Sequence, residues 1–275
     1  MRRGENSPAA TPDGYERIRS WLHNRCGIYY PDRKKELLAN RLSRVRERFG
    51  LRSLDDLAIL VEGGGSPDVL LAVMHAASTN HTYFCREPQV LHFFRDRILS
   101  SLSQLEEIRI WSAAASSGDE AYSIAIYAAE LLGREQATRR VAILGTDISS
   151  PVIARAETGI YGAHHLELVP TDLLERYFVP LGSGHYQVAE DIRRMCTFRR
   201  LNLKARPFPF RRGFHVVFCR NVLYYFDRDH QQQTLEALHG VTESGGWLLT
   251  SVTESVRDLA TSWVPVGGGI YRKKT

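Results

Sequence analysis

The spacing of apolar residues changes period near residue 100, and that change constrains the fold more than anything else in the chain. Before it, apolar residues recur at helical spacing. After it, short continuous apolar runs alternate with helical patterns, which predicts a mostly parallel sheet covered by helices on both faces. Ile108 to Trp111 reads as a buried strand and runs through Ala-Ala-Ala-Ser-Ser-Gly into a helix from Asp119 to Leu132. Val141 to Leu144 reads as a second strand, ending at Gly145-Thr146-Asp147. Ser150-Pro151 opens a helix that Gly159 closes. A strand from Phe214 to Cys219, a helix from Asp229 to His239, a turn at Gly245-Gly246 and a strand from Trp247 to Ser251 complete the rhythm. Residues 160–205 interrupt it. Short alternating runs flank Gly182-Ser183-Gly184, which predicts a small antiparallel β insert at about 163–200.

Residues 13–78 read as an all-helical N-terminal domain. Ile18, Trp21 and Leu22 make one amphipathic turn before Gly27. Leu38, Leu42, Val45 and Phe49 line one face of a longer helix that Gly50 stops. Ser53 with Asp56 resembles a capping box for a third helix, Leu54 to Val61. After Gly63-Gly64-Gly65, Ser66-Pro67 starts a fourth helix with Val69, Leu70, Val73 and Met74 on one side. The second domain is expected over 79–275, with a linker at 79–99.

Charge is unevenly placed. The formal net charge is +5. Seven basic residues and two acids lie between Arg33 and Arg48, so that window holds the whole excess. On a helical wheel, Lys34, Arg41, Arg44 and Arg48 fall within about 80° of one another and flank the apolar stripe. No apolar run follows Met1-Arg2-Arg3 and no stretch of 18 apolar residues occurs, so neither a signal peptide nor direct membrane insertion is expected. Cys26, Cys85, Cys196 and Cys219 are far apart and read as free thiols of a reducing compartment, which places the protein in the cytoplasm. The ten histidines lack ligand spacing, so no metal site is expected.

Four segments carry chemistry. In Trp111 to Glu120, small residues after a buried strand let a ligand approach the backbone, and the next helix offers free N–H groups. Alanines and serines stand where a pyrophosphate fingerprint needs glycines, so a nucleoside without phosphates fits better. Asp147 ends the next strand, where an acid accepts both ribose hydroxyls. Phe218 to Asp227 places Arg220, Asn221 and Tyr225 at the same strand end. Asn80 to Arg86 combines polar, aromatic and basic residues and suggests a lid. As simple packing, these four segments read as a tight turn, a helix cap, an aromatic-packed loop and a linker.

Taken in this order, the segments resemble the CheR-type chemoreceptor glutamate O-methyltransferases. The resemblance rests on N-x-T-x-F-x-R, W-S-A-A-A-S-S-G-D-E-A-Y-S, T-D-I-S, R-L-N-L and F-C-R-N-V-L-Y-Y-F-D, and spans nearly the whole chain. It implies an α/β fold: a Rossmann-like class I S-adenosylmethionine-dependent methyltransferase domain behind a helical receptor-recognition domain. It implies S-adenosyl-L-methionine as cofactor and a chemoreceptor cytoplasmic domain as partner. Carried over by position, cofactor contacts fall on Asn80, Thr82, Arg86, Glu120, Asp147, Asn202, Leu203, Arg220 and Asn221. Arg86 and Tyr225 fall near the methyl group, as the catalytic pair. The basic helix would face the receptor through Lys34, Arg41, Arg44 and Arg48.

Four departures from the family pattern are legible. Cys85 stands where a second Phe is usual, and Asp119 stands first in the acidic pair. The late G-H-S-E-S segment reads Ser251-Val-Thr-Glu-Ser255 and lacks its histidine. The hairpin is about three residues shorter than in members that bind a receptor's C-terminal pentapeptide, so no such tether is expected. The protein is expected to be a monomer without a nucleic-acid partner. The alternatives are a class I methyltransferase acting on nucleic acid or a small molecule, and a cofactor-binding signalling scaffold.

Overall fold

A computed structural model describes residues 13–78, 82–254, 256 and 258–275. The chain divides into two compact units between Ala77 and Ser78. Among the described residues the first holds four α-helices and a 3-10 turn, Asp32–Lys34. α1 (Gly14–Cys26) starts where Asp13 accepts from the Glu16 N–H and ends at Gly27, whose φ of 74° lets its N–H reach the His23 carbonyl. α2 (Lys35–Arg48) buries Leu38, Leu42 and Val45. α3 (Leu54–Glu62) begins at the expected capping box, with Ser53 and Asp56 satisfying each other's backbone N–H groups. α4 (Pro67–Ala77) buries Val69, Val73, Met74 and Ala77. α1 meets α3 so closely at Gly14 that a Cβ there would lie 2.4 Å from Asp55 N, so only glycine fits.

The second unit opens with α5 (Pro88–Phe93), which passes through a π-helical stretch, Phe94–Leu99, into α6 (Ser100–Leu102). The expected linker at 79–99 is therefore largely helix, buried through Val90, Leu91, Phe94, Ile98 and Leu99. Then follow β1 (Ile108–Ser112), α7 (Asp119–Leu132), α8 (Arg134–Arg140), β2 (Val141–Asp147), α9 (Ser150–Thr158), β3 (Ile160–Gly162) and α10 (Thr171–Tyr177). The chain continues through β4 (Phe178–Gly182), β5 (His185–Val188), α11 (Glu190–Arg194), β6 (Cys196–Arg200), β7 (Phe214–Phe218), α12 (Arg228–Gly240), β8 (Thr242–Leu249), β9 (Val264–Gly267) and β10 (Ile270–Arg272).

Seven strands form one sheet in the order β6-β2-β1-β7-β8-β10-β9. The first five run parallel, and β10 pairs antiparallel with both neighbours. Alternating residues feed two cores. Ile110, Val216, Phe218 and Leu249 pack with Phe94 and Tyr122, while Trp111, Val217, Cys219 and Leu248 pack with Leu235, Leu238 and Trp263. The order reverses at β1, so chain leaves β1 and β2 toward one edge and β7 and β8 toward the other. The crevice at the carboxyl ends of β1, β2 and β7 is therefore the ligand position of such a sheet.

A three-stranded sheet, β3-β5-β4, forms the insert, and its hairpin turns through Ser183 and Gly184, both at positive φ. The boundary expected at about 200 needs correction. Cys196–Arg200 leaves the insert and pairs parallel with β2 in the main sheet. Its run of charge suits an exposed edge strand, and only Phe198 is fully buried. Gly245-Gly246 is also not a simple turn. It lies within β8 as a bulge, where the register against β7 slips between Phe214 and Val216. Among the described residues no single helix is long and apolar enough to cross a membrane.

Candidate active site

The turn after β1 is built from backbone. Ala113 N–H donates to the Phe218 carbonyl at 2.8 Å and Ala115 N–H to the Thr146 carbonyl at 2.8 Å, so the turn is pinned to both flanking strands. Trp111 buries its ring below and donates from Nε1 to Thr146 Oγ1 at 2.9 Å. Gly118, at φ 94°, admits no side chain. A Cβ would lie 2.9 Å from Ala156 Cβ and from the Tyr161 hydroxyl. Asp119 is fully buried and accepts from Ser117 Oγ at 2.7 Å, with His165 Nδ1 at 2.5 Å on its other oxygen. Asp119 is thus a fastening of the turn, and Glu120 is the acid that faces Ser112 and Arg220.

Asp147 stands at the end of β2 as expected. Its Oδ2 accepts from Ser116 N at 3.0 Å and its Oδ1 from Ser149 N at 2.9 Å. The two bonds fix the carboxylate and leave its remaining lone pairs for a diol. Ser149 is the N-cap residue of α9 but makes no capping bond with its side chain.

Arg220 is the hub. Its guanidinium donates to Glu120 Oε2 at 2.9 Å and to the Arg86 carbonyl at 2.7 Å, and pairs with Glu87 at 3.2 Å. Only 2% of its side chain is exposed. Ser112 Oγ donates to the other oxygen of Glu120 at 2.7 Å. Asn221, at φ 57°, donates its N–H to Glu254 at 2.6 Å. Tyr225 is half-buried, and its hydroxyl accepts from Tyr224 at 3.0 Å.

The segment expected as a lid is anchored from Phe84 on. Phe84 is fully buried edge-on against Tyr161 and Phe178, and its N–H donates to the His165 carbonyl. Cys85 is buried in the same core, its N–H bonded to Ser123 Oγ and its thiol pushed up by burial to about 11. Cys85 is therefore a small buried group on an anchored segment. Arg86 lies over the Tyr83 ring at 5.6 Å. Thr82 is half-buried beside them. Asn80 lies outside the described residues. Asn202 Oδ1 accepts from Lys204 N at 3.0 Å and turns the chain after β6. Leu203 buries its side chain in the core with Trp111 and Phe208, so any contact it makes with a cofactor runs through its backbone.

Two site residues escaped the sequence reading. Glu87 accepts from Ser251 Oγ at 2.6 Å and from Val252 N at 3.2 Å, in addition to holding Arg220. Glu254 gathers the N–H groups of Asn221, Tyr224 and Ser251. The only sequence signal for Glu87 is its place directly after Arg86.

Family models match both units. The all-alpha domain of CheR methyltransferase matches residues 13–76, and the SAM-binding domain of CheR methyltransferase matches residues 80–268. The chain belongs to the CheR methyltransferase family. Relatives agree over nearly full length. The chemotaxis protein methyltransferase of Borreliella burgdorferi is 33% identical, covering 90% of this chain and 89% of that protein. Chemotaxis protein methyltransferase 1 of Pseudomonas aeruginosa is 34% identical over 97% and 99%. The Escherichia coli chemotaxis protein methyltransferase is 31% identical over 94% and 89%.

This CheR-family chain is a methyltransferase of the class I fold, and S-adenosylmethionine is its cofactor. The residues present fit that group. Two buried donors, Ser116 Oγ and Arg220 Nε, have no hydrogen-bond partner among the described residues. Asp147 suits the ribose, and Glu120 with Arg220 suits the amino-acid end.

Burial pushes the Glu120 carboxyl up, against Arg220 and Ser112. Burial likewise pushes Asp147 up, against the N–H groups of Ser149 and Ser116. For both groups the ionised form is the stronger acceptor for a diol or an ammonium. Affinity should hold at neutral pH and fall as pH drops through these raised values, beginning above the ordinary carboxyl range of about 4. Calorimetric titration from about pH 8 down to 5 checks this. Constant affinity throughout would contradict it.

Proposed function

We propose that the protein transfers a methyl group from S-adenosylmethionine to glutamate side chains on the cytoplasmic helices of a chemoreceptor, in chemotaxis or a related signalling pathway. The observation that carries this reading is the joint match of both units to the CheR models, together with the cofactor cradle around Arg220. On this proposal the protein acts in the cytoplasm, as a monomer without a pentapeptide tether.

S-adenosylmethionine, when bound, supplies a methyl carbon made electrophilic by the adjacent sulfonium. A glutamate carboxylate has an unperturbed pKa of about 4.3 and is already a nucleophile at neutral pH, so no general base is needed. An anion and a cation react to give neutral products. Charge disappears toward the transition state, so exclusion of water favours the reaction and a strong cation on the attacking oxygen opposes it. The residues act by orientation. Arg86 would hold the cofactor carboxylate, and Tyr225 would donate to the substrate oxygen that does not attack.

Recognition would use the basic stripe of α2. Arg44 and Arg48 are exposed on α2, while Lys34 is half-buried in the 3-10 turn Asp32–Lys34 that precedes it. Arg41 differs: its guanidinium lies 3.3 Å from the Tyr30 hydroxyl and 3.4 Å from the Ala76 carbonyl. It braces the helical unit, and its reversal would confound folding with binding. Lys34→Glu with Arg44→Glu is the cleaner test. The pair should raise the substrate KM about tenfold at low salt, less at high salt, and spare cofactor affinity. An unchanged KM would remove the stripe from recognition.

A further inference from the structure

His165 is buried in the 3-10 turn Ala163–His165 of the insert, and it holds two segments that line the cofactor site. Its backbone carbonyl accepts the Phe84 N–H at 3.0 Å, two residues before Arg86. Its ring meets Asp119, the residue before Glu120, with Nδ1 2.5 Å from Oδ1. The other ring nitrogen, Nε2, lies 3.0 Å from Arg155 Nη2. A guanidinium has no acceptor, so Nε2 offers its lone pair and Nδ1 carries the hydrogen that goes to Asp119. Arg155 is exposed and fixes this tautomer from the surface.

Both segments serve the same end of the cofactor. Arg86 suits its carboxylate, and Glu120 with Arg220 suits the rest of its amino-acid end. Asp147, which suits the ribose, takes its position from the Ser116 and Ser149 N–H groups instead. A second link runs beside the ring. Ser123 Oγ accepts the Cys85 N–H at 3.0 Å and donates to the Asp119 carbonyl at 2.7 Å. Asp119 is thus gripped at its side chain by His165 and at its carbonyl by Ser123, and both grips end on the Phe84–Arg86 segment. The bond to the carboxylate is charge-assisted and shielded from water, which makes it the stronger grip. It sets the first turn of α7, where Glu120 stands, at a fixed distance from Arg86. A shift of a fraction of an ångström there would misalign the two ends of the clamp.

We propose that His165 is a positioning residue that sets the spacing of the clamp on the cofactor's amino-acid end, acting through Asp119 and Phe84. The insert is thereby a working part of the cofactor site, although His165 itself is packed behind it. The inference rests on the reading that the cofactor binds at the ends of β1, β2 and β7 with its ribose on Asp147.

The test compares two ligands on the full chain by calorimetry: S-adenosylhomocysteine, and methylthioadenosine, which keeps the nucleoside and lacks the amino-acid end. His165→Leu removes the ring bond and should weaken the first about tenfold while leaving the second within about twofold. His165→Asn returns a donor near the position of Nδ1 and should bring the first back to within about threefold of the unaltered chain. Equal weakening of both ligands, as a general loosening of the turn would give, overturns the proposal. So does unchanged affinity in His165→Leu, or an Asn variant as weak as the Leu one. Should His165→Leu fail to fold, Ser123→Ala cuts the parallel link and should move the ratio of the two affinities in the same direction by severalfold. An unmoved ratio there counts against the proposal. Asp147→Asn checks the site independently of His165: it should weaken both ligands alike. If it spares both, the reading of the site fails and the proposal falls with it.

Discussion

Replacing Arg220 by Met should lower the free energy of unfolding by about 3–5 kcal/mol at neutral pH. Met roughly conserves the apolar volume, so cavity formation contributes little. The loss comes from Glu87 and Glu120, which would share a buried space with no cation between them. The carbonyl of Arg86 would also lose its 2.7 Å donor. The pH dependence identifies the cause. In the variant both carboxyls would have folded-state pKa values above their unfolded ones, so the folded state binds protons more tightly. Stability should therefore recover as pH falls through those raised values, opposite to ordinary acid denaturation. Urea unfolding at neutral and mildly acid pH measures it. A loss of about 0–1 kcal/mol, the range of a surface pair, would show that the cluster is solvated.

The second large effect is expected from Asp147→Asn. Both carboxylate oxygens already accept backbone N–H groups, from Ser116 and Ser149. An amide keeps one acceptor and turns an NH2 group toward the other N–H. It also replaces charge-assisted bonds to a ribose diol by neutral ones. Cofactor affinity should fall about 100-fold. Stability should change little by comparison, because the same substitution removes a buried charge that burial opposes. Equilibrium titration beside thermal unfolding separates the two. Retained affinity would take the ribose away from Asp147.

These expectations draw on residues of unequal visibility in the sequence. The strand, turn and helix from Ile108 to Leu132 were legible because burial and turn chemistry agree there: an apolar run, a glycine that must adopt positive φ, and a helix ending at Gly133. The helix after Pro88 was legible in principle, since proline is well tolerated in the first turn, but the motif before it drew the reading toward a linker. β6 was hidden because an edge strand needs no apolar run. Glu87 was marked in the sequence only by its place directly after Arg86. Its partner Ser251 lies 164 residues away, and only the folded sheet brings them together.

The central claim is the transfer of methyl groups to receptor glutamates. It is tested most directly by incubating the protein with methyl-tritiated S-adenosylmethionine and receptor cytoplasmic fragments, then treating the product with base. The account predicts label on the receptor fragment that is released as volatile methanol, the signature of a carboxyl ester. Label stable to base, label on nucleic acid, or binding of the cofactor without transfer would contradict it.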